Sequence, residues 1–326
     1  MSFKRFHPYR QTAAIRDLHA EVKIDKSDFI YPYFVVEGQG IKHPIASLWG
    51  VDHFSIDKLV EDVADTLRLG IDKVLLFGVV GDEVKTPDGS GSYADNNLVA
   101  RAVKALREAY PQLFIITDVC ICAYTTHGHC GLLNGEGIDN DASLPVLAKM
   151  SLSHAKAGAN MVAPSAMMDG QVKAIRAMLD ENGCQSCGVL GYSAKYASGF
   201  YGPFRDAAQS APSFGDRKAY QMDFRTIRQG TDEVLADLEE GAAWVMVKPA
   251  HAYLDVIARA KAAAPDCVMA AYHVSGEYMM IKSAASQGFL DEHPAMNEVL
   301  LAIKRAGAQY LITYYAKDWV LRTSAV

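Results

Sequence analysis

A (β/α)₈ barrel is the fold this 326-residue sequence predicts, and three observations predict it. Eight short apolar runs recur from about residue 28 to the C-terminus, stretches of helical spacing lie between them, and the runs read as strands buried on both faces. The strands are read at 29–36, 73–80, 113–119, 159–165, 188–194, 243–248, 268–274 and 309–316. Helical spacing fills 56–70, 96–110, 143–158, 171–183, 253–265 and 294–308, and several of these stretches close on Gly or Pro, as helix C-termini do. The rival, an open doubly wound sheet, would carry a glycine-rich phosphate turn after its first strand; VVEGQG at 35–40 is a poor match. Residues 1–27 form a polar leader with scattered aromatics, read as an N-terminal arm, and residues 28–326 form a single barrel domain.

Half of the residues are hydrophobic, enough for a large core and too many for disorder. A formal charge of -6 excludes a surface built for nucleic acid or anionic lipid. The N-terminus lacks the apolar core of a signal peptide, and no apolar run is long enough to span a bilayer, so the expectation is a soluble cytoplasmic protein with no membrane partner. Six cysteines in such a chain are expected as reduced thiols or metal ligands.

A barrel collects its chemistry at the C-terminal ends of its strands. In order, those ends offer Asp118 with Cys120 and Cys122, Ser165, Lys195, Lys248, Ser275 and Tyr314. Two are lysines on neighbouring strands, in GVLGYSAK and WVMVK. A neutral lysine captures a ketone as a Schiff base, but at an ordinary pKa only roughly one in 2,500 is neutral at pH 7. Burial and a second ammonium nearby both lower that pKa, so pairing is chemically useful; the plainer reading is two lysines that snorkel or form ion pairs.

Cys120, Cys122 and Cys130 form a C-x-C-x₇-C cluster that encloses His127 and His129. Soft thiolates at this density suit Zn²⁺. Three ligands with an open fourth position would be catalytic, whereas a closed structural site would recruit a histidine or a remote cysteine; position at the barrel mouth favours catalysis. Cys184 and Cys187 fall ahead of the fifth strand, at the opposite end, and are read as incidental thiols, with Cys267 in the core. The segment 198–221 is long for a barrel loop and carries Arg205 and Arg217 among aromatics, as a lid that clamps a carboxylate would.

Taken together, DVCICAYTTHGHCG, DNDASL, APSAMMDGQV, YSAKYASGFYGPFRDA, GDRKAYQM, MVKPAHAYLD and YHVSGEYMMIK resemble the porphobilinogen synthase (5-aminolaevulinate dehydratase) family over essentially the whole chain. The resemblance implies a barrel that condenses two molecules of 5-aminolaevulinate into porphobilinogen with loss of two waters. It implies Schiff bases at Lys248, which would hold the first-bound (P-side) molecule, and at Lys195. Arg205 and Arg217 would hold the carboxylate of the second (A-side) molecule, and Ser275 and Tyr314 that of the first. The three cysteines resemble those of zinc-dependent members, with Asp118 placed to orient an amine or relay a proton. It further implies an activating Mg²⁺ at Glu233, an arm that embraces a neighbouring subunit, and a homo-octamer. A lysine-dependent aldolase would leave the cysteines and one lysine idle, and a structural zinc protein would need a closed metal site.

Overall fold

The computed structural model describes residues 3–323 and contains the closed barrel. Its eight strands are β1 (Phe29–Val36), β2 (Lys73–Val79), β3 (Phe114–Val119), β4 (Met161–Pro164), β5 (Gly188–Lys195), β6 (Trp244–Lys248), β7 (Val268–His273) and β8 (Tyr310–Thr313). Each pairs in parallel with the next, and β8 closes on β1 through Phe29 opposite Leu311 and Ile30 opposite Ile312. The helices packed outside are α1 (Ile56–Arg68), α2 (Leu98–Ala109), α3 (Asn140–Ala157), α4 (Gln171–Glu181), α5 (Arg228–Glu239), α6 (Leu254–Ala263), α7 (Ser275–Ser286), α8 (Glu292–Ala306) and α9 (Ala316–Thr323).

The strands are mostly apolar because both of their faces are covered, one by the barrel interior and one by helices, with polar groups gathered toward their C-terminal ends. The interior holds aromatic rings: Phe34 stacks on Phe77 at 5.5 Å between centroids and lies 6.4 Å from Tyr314. The helices form from amphipathic segments. α1 buries Leu59, Val63 and Thr66 on one stripe, and α3 starts where Asp139 accepts the Ala142 N–H and ends at Gly158, whose φ of +107° only glycine adopts cheaply.

The sequence expectation differs in four places. The last strand ends at Thr313, so Tyr314 sits in the turn beyond it, and the fourth strand is only four residues long. Two short antiparallel hairpins, 42–44 with 52–54 and 132–134 with 137–139, decorate the loops after β1 and β3. Helix α7 was not legible as a helix, since its buried face includes Ser275 and Glu277, which break the apolar period. In the arm, residues 3–27, neither the turn His7–Arg10 nor the helix Ala13–Leu18 buries a side chain, and Phe3 and Leu18 stand 64% and 80% exposed. Among the described residues no helix is long and apolar enough to cross a membrane.

Candidate active site

The two strand-end lysines are directly opposite one another: Lys248 on β6 pairs with Lys195 on β5. Both are buried. Lys195 Nζ donates to the Ser165 carbonyl at the end of β4. Lys248 Nζ instead sits among rings, 4.2 Å from the centroid of Tyr272, 4.8 Å from Phe204, 5.1 Å from Tyr192 and 5.4 Å from Tyr201. Among the described residues no carboxylate is hydrogen-bonded to it. Burial first, and the Lys195 charge second, bring the Lys248 pKa down to about 7. An amine in that condition is half neutral at neutral pH, which is what carbonyl capture requires.

Tyr192 lies near both amines, its ring centroid 5.6 Å from Lys195 Nζ and 5.1 Å from Lys248 Nζ. The strand period of two would turn Tyr192 away from Lys195, three residues on. A bulge in β5 reverses this: Gly191 pairs with Val245 and Ala194 with Val247, so β5 carries one extra residue there and both side chains face inward. That is why the sequence did not reveal it.

Asp118, at the end of β3, presents a buried Oδ1 with no hydrogen-bond partner. Its carboxyl is held above the usual range by burial, against the pull of Lys195 and Lys248, with the Ser165 hydroxyl beside it. The residues Asp118, Cys120, Cys122, Ser165, Lys195, Phe204, Arg217 and Lys248 line one cavity of about 30 Å³. Phe204 narrows it, packing 5.1 Å from Phe77 and 5.8 Å from Phe34.

The Cys120, Cys122 and Cys130 sulfurs lie within 4.8 Å of one another, with Cys120 and Cys122 3.2 Å apart. All three are buried and free. The Cys130 thiol is held well below its ordinary pKa by hydrogen bonds from Cys120 and Cys122, with Arg217 and Lys195 nearby. Thiolates about 2.3 Å from a zinc ion would need little rearrangement from this geometry. Neither histidine of the loop completes the set. His127 faces the Pro87 carbonyl and accepts the His129 N–H, and His129 contacts the Tyr220 hydroxyl and the Phe214 carbonyl. Among the described residues the cluster has no fourth His, Cys, Asp or Glu, so the closed structural site expected as an alternative is not assembled.

Those histidines instead hold the segment 198–221, which leaves and returns at one point, Tyr196 bridging to Met222. Ser213 N–H donates to the His127 carbonyl at 3.0 Å, and buried Arg217 donates to the Gly128 carbonyl at 2.9 Å. Burial opposes the Arg217 charge, but the nearby sulfurs, Cys130 first and then Cys122 and Cys120, more than offset it. Arg205 lies on the short helix Gly202–Ala207 of the same segment, its Nε buried without a partner. On the opposite wall, Ser275 Oγ accepts the Phe204 N–H at 3.0 Å and the Tyr314 hydroxyl is 3.2 Å from that of Tyr272.

Glu233 stands apart from this group. It is on α5, half-buried, and faces a separate cavity of about 610 Å³ shared with Asp169, Asp237 and Glu240; burial raises its pKa, and Gln229 donates to it at 3.2 Å. Cys184 and Cys187 precede β5 at the far end of the barrel, as read. The sequence reading missed Tyr192, Phe204 and Tyr272, whose only signal was their place within two or three residues of strand ends or lid cations.

A family model described as delta-aminolevulinic acid dehydratase matches residues 3–321. Curated relatives of that name include one from Halalkalibacterium halodurans, 48% identical over 98% of this chain and 96% of the relative, and one from Bacillus subtilis, 44% identical over 97% of each. A crystal structure of delta-aminolevulinic acid dehydratase (porphobilinogen synthase) from Toxoplasma gondii ME49, in complex with the reaction product porphobilinogen, superposes with a TM-score of 0.96 at 41% identity, covering 98% of this chain and 92% of that one.

Proposed function

This chain belongs to the delta-aminolevulinic acid dehydratase family, and from that premise we propose that it condenses two molecules of 5-aminolaevulinate into porphobilinogen through Schiff bases on Lys248 and Lys195. It is an enzyme, a dehydratase. The observation that carries the lysine chemistry is the in-register pair itself, in which one buried amine has a pKa of about 7 and no bonded carboxylate.

Neutral Lys248 adds to the ketone of the first substrate and, with loss of one water, forms an imine. Lys195 does the same with the second substrate, and a second water leaves. Carbon–carbon and carbon–nitrogen bond formation between the two substrates then expel both lysine amines, and loss of a proton gives the pyrrole ring. The aromatic walls around Lys248 exclude the water that would hydrolyse its imine. Asp118, with an unpaired buried oxygen, accepts or orients the amino group of the second substrate. Ser275 and Tyr314 hold the first carboxylate, and Arg205 and Arg217 the second. For Arg205 the partnerless Nε supports this; for Ser275 the lid backbone must first withdraw. The 30 Å³ cavity requires the same withdrawal, since Phe204 fills space that two substrates need.

Cys120, Cys122 and Cys130 would hold Zn²⁺, which when bound supplies Lewis-acid polarisation of a substrate oxygen or amine. Glu233 would contribute to an activating Mg²⁺ that keeps most of its water, as Mg²⁺ with one or two carboxylates does. The exposed Phe3, Phe6, Tyr9 and Leu18 support the arm as a contact with a second copy in a homo-octamer, and the enzyme is assigned to the cytoplasm.

Borohydride reduction in the presence of 5-aminolaevulinate, followed by peptide mass mapping, tests the reading. Substrate-derived adducts on Lys248 and Lys195 are expected. Porphobilinogen formed with neither lysine labelled would sink the imine mechanism.

A further inference from the structure

Glu277 is a carboxyl group almost shut off from solvent, and among the described residues no cation is paired with it. It is 1% exposed at the third position of α7, and its oxygens accept backbone N–H groups from two different segments. Val274 N–H, at the start of its own helix, donates at 3.0 Å. Ala252 N–H donates at 3.1 Å and Ala250 N–H at 3.4 Å, both from the loop that follows Lys248. Burial raises the carboxyl to about 7 even though these donors, and the His251 N–H, pull it down. A buried acid kept at that cost of desolvation is held in place by what it joins.

What it joins are the two halves of one subsite. Lys248 ends β6 two residues before Ala250, and Ser275 opens α7 two residues before Glu277. On the reading above, Lys248 captures the ketone and Ser275 binds the carboxylate of the same molecule. We propose that Glu277 is a positioning residue that fixes the span between the Lys248 amine and the Ser275 hydroxyl, and so selects keto acids by the number of carbons between carbonyl and carboxylate. Backbone donors suit this role, because a carboxylate bound to three main-chain N–H groups constrains the course of both segments and not a single side chain. Glu277 is the one carboxylate in either segment at this point: between Lys248 and Leu254 the loop reads PAHAY, and Val274, Ser275 and Gly276 precede Glu277.

The experiment compares borohydride trapping on Lys248 by 3-oxobutanoate, 4-oxopentanoate and 5-oxohexanoate in the full chain and in Glu277→Gln. Far-UV circular dichroism and thermal unfolding serve as the folding check. The native chain should favour 4-oxopentanoate by at least about tenfold over either neighbour, the scale of one misplaced methylene. The variant puts an amide N–H against backbone donors, so the segments part and the preference should fall below about threefold, while the adduct still forms at high ligand. Glu277→Asp, which keeps the charge but is one methylene shorter, should shift the preference in the same direction and serves if the glutamine variant does not fold. A merely structural role would weaken trapping of all three acids equally, so an unchanged preference in a folded variant overturns the proposal. If the native chain takes no adduct on Lys248 from any acid, the imine reading falls and takes this proposal with it; if it takes them without regard to length, only the proposal falls.

Discussion

Two lysines of this protein pack against pairs of tyrosines, Lys248 buried and Lys317 half-buried, and they have opposite fates. Lys317, in the first turn of α9, lies 4.6 Å from the Tyr31 ring and 5.2 Å from Tyr33, yet it is bonded to the Asp62 carboxylate. Asp62 also accepts from Tyr33 at 2.8 Å and from Lys42 at 3.1 Å, so its charge is fully answered. Lys248 has similar walls and no such partner. Burial lowers the pKa of both amines; in Lys317 the bonded Asp62 carboxylate opposes that fall, whereas in Lys248 the neighbouring Lys195 charge adds to it and Asp118, in the same cavity but not hydrogen-bonded to the amine, opposes it only in part. Burial and aromatic neighbours therefore do not make a lysine reactive. The lack of a hydrogen-bonded carboxylate does.

The largest effect that would sharpen this contrast is on activity. Lys248→Met should abolish the adduct at position 248 and lower kcat/KM by at least about a thousandfold, because the nucleophile is gone. Lys317→Met should leave trapping at Lys248 intact. Equal losses in the two variants would erase the distinction between them.

Their stabilities should respond differently, because Lys317 is one half of a bonded ion pair and Lys248 is not. A lysine whose folded pKa lies below its unfolded one destabilises the fold at every pH below about 10.5, with the full penalty present below the folded value near 7. Lys248→Met should thus raise stability by about 2–4 kcal/mol at pH 6 and by progressively less toward pH 10, read from urea midpoints. Lys317→Met should cost about 1–3 kcal/mol at pH 7, since Asp62 keeps only Lys42 and Tyr33. Burial alone would raise the Asp62 pKa, but Lys317 and its other donors hold it below 3.8, so the stability it contributes is present above that value and lost as pH falls beneath it. The penalty of Lys317→Met should shrink there accordingly.

Next in size is the pH dependence of trapping. At limiting ligand the rate of adduct formation on Lys248 should rise about tenfold per unit up to pH 7 and level off above about pH 8, as a neutral amine is the reacting form. A rise that continued to pH 10 would show that Lys248 is an ordinary lysine after all. The smallest effect should come from Tyr272→Phe, which keeps the ring 4.2 Å from Lys248 but loses the contact with the Tyr314 hydroxyl; kcat should change less than about threefold, with any larger change confined to KM.

The barrel was legible because each strand is a continuous apolar run and most helices carry an apolar stripe, both set by neighbours in the chain. Helix α7 was not, since Ser275 and Glu277 occupy buried positions for reasons that lie in other segments, the lid and the loop after β6. Lys195 and Lys248 could be placed side by side as the ends of consecutive barrel strands, and Cys120, Cys122 and Cys130 could be grouped by spacing alone. Tyr192 could not be placed, because the bulge that turns it inward is a property of how β5 pairs with β6.

What the sequence determined by itself, then, was the order of strands, the identity of the groups at their ends and the thiol cluster, all of which follow from short-range pattern and from the rule that a parallel barrel gathers its strand ends. Only the tertiary structure decided which charges are answered. Asp62 meets Lys317 from 255 positions away, His127 and His129 turn from metal ligands into anchors for the 198–221 segment, and Glu277 ties two loops from different strands. The reactivity of an amine depends on the desolvation and partners around it, and those are supplied by residues that chain spacing does not bring together.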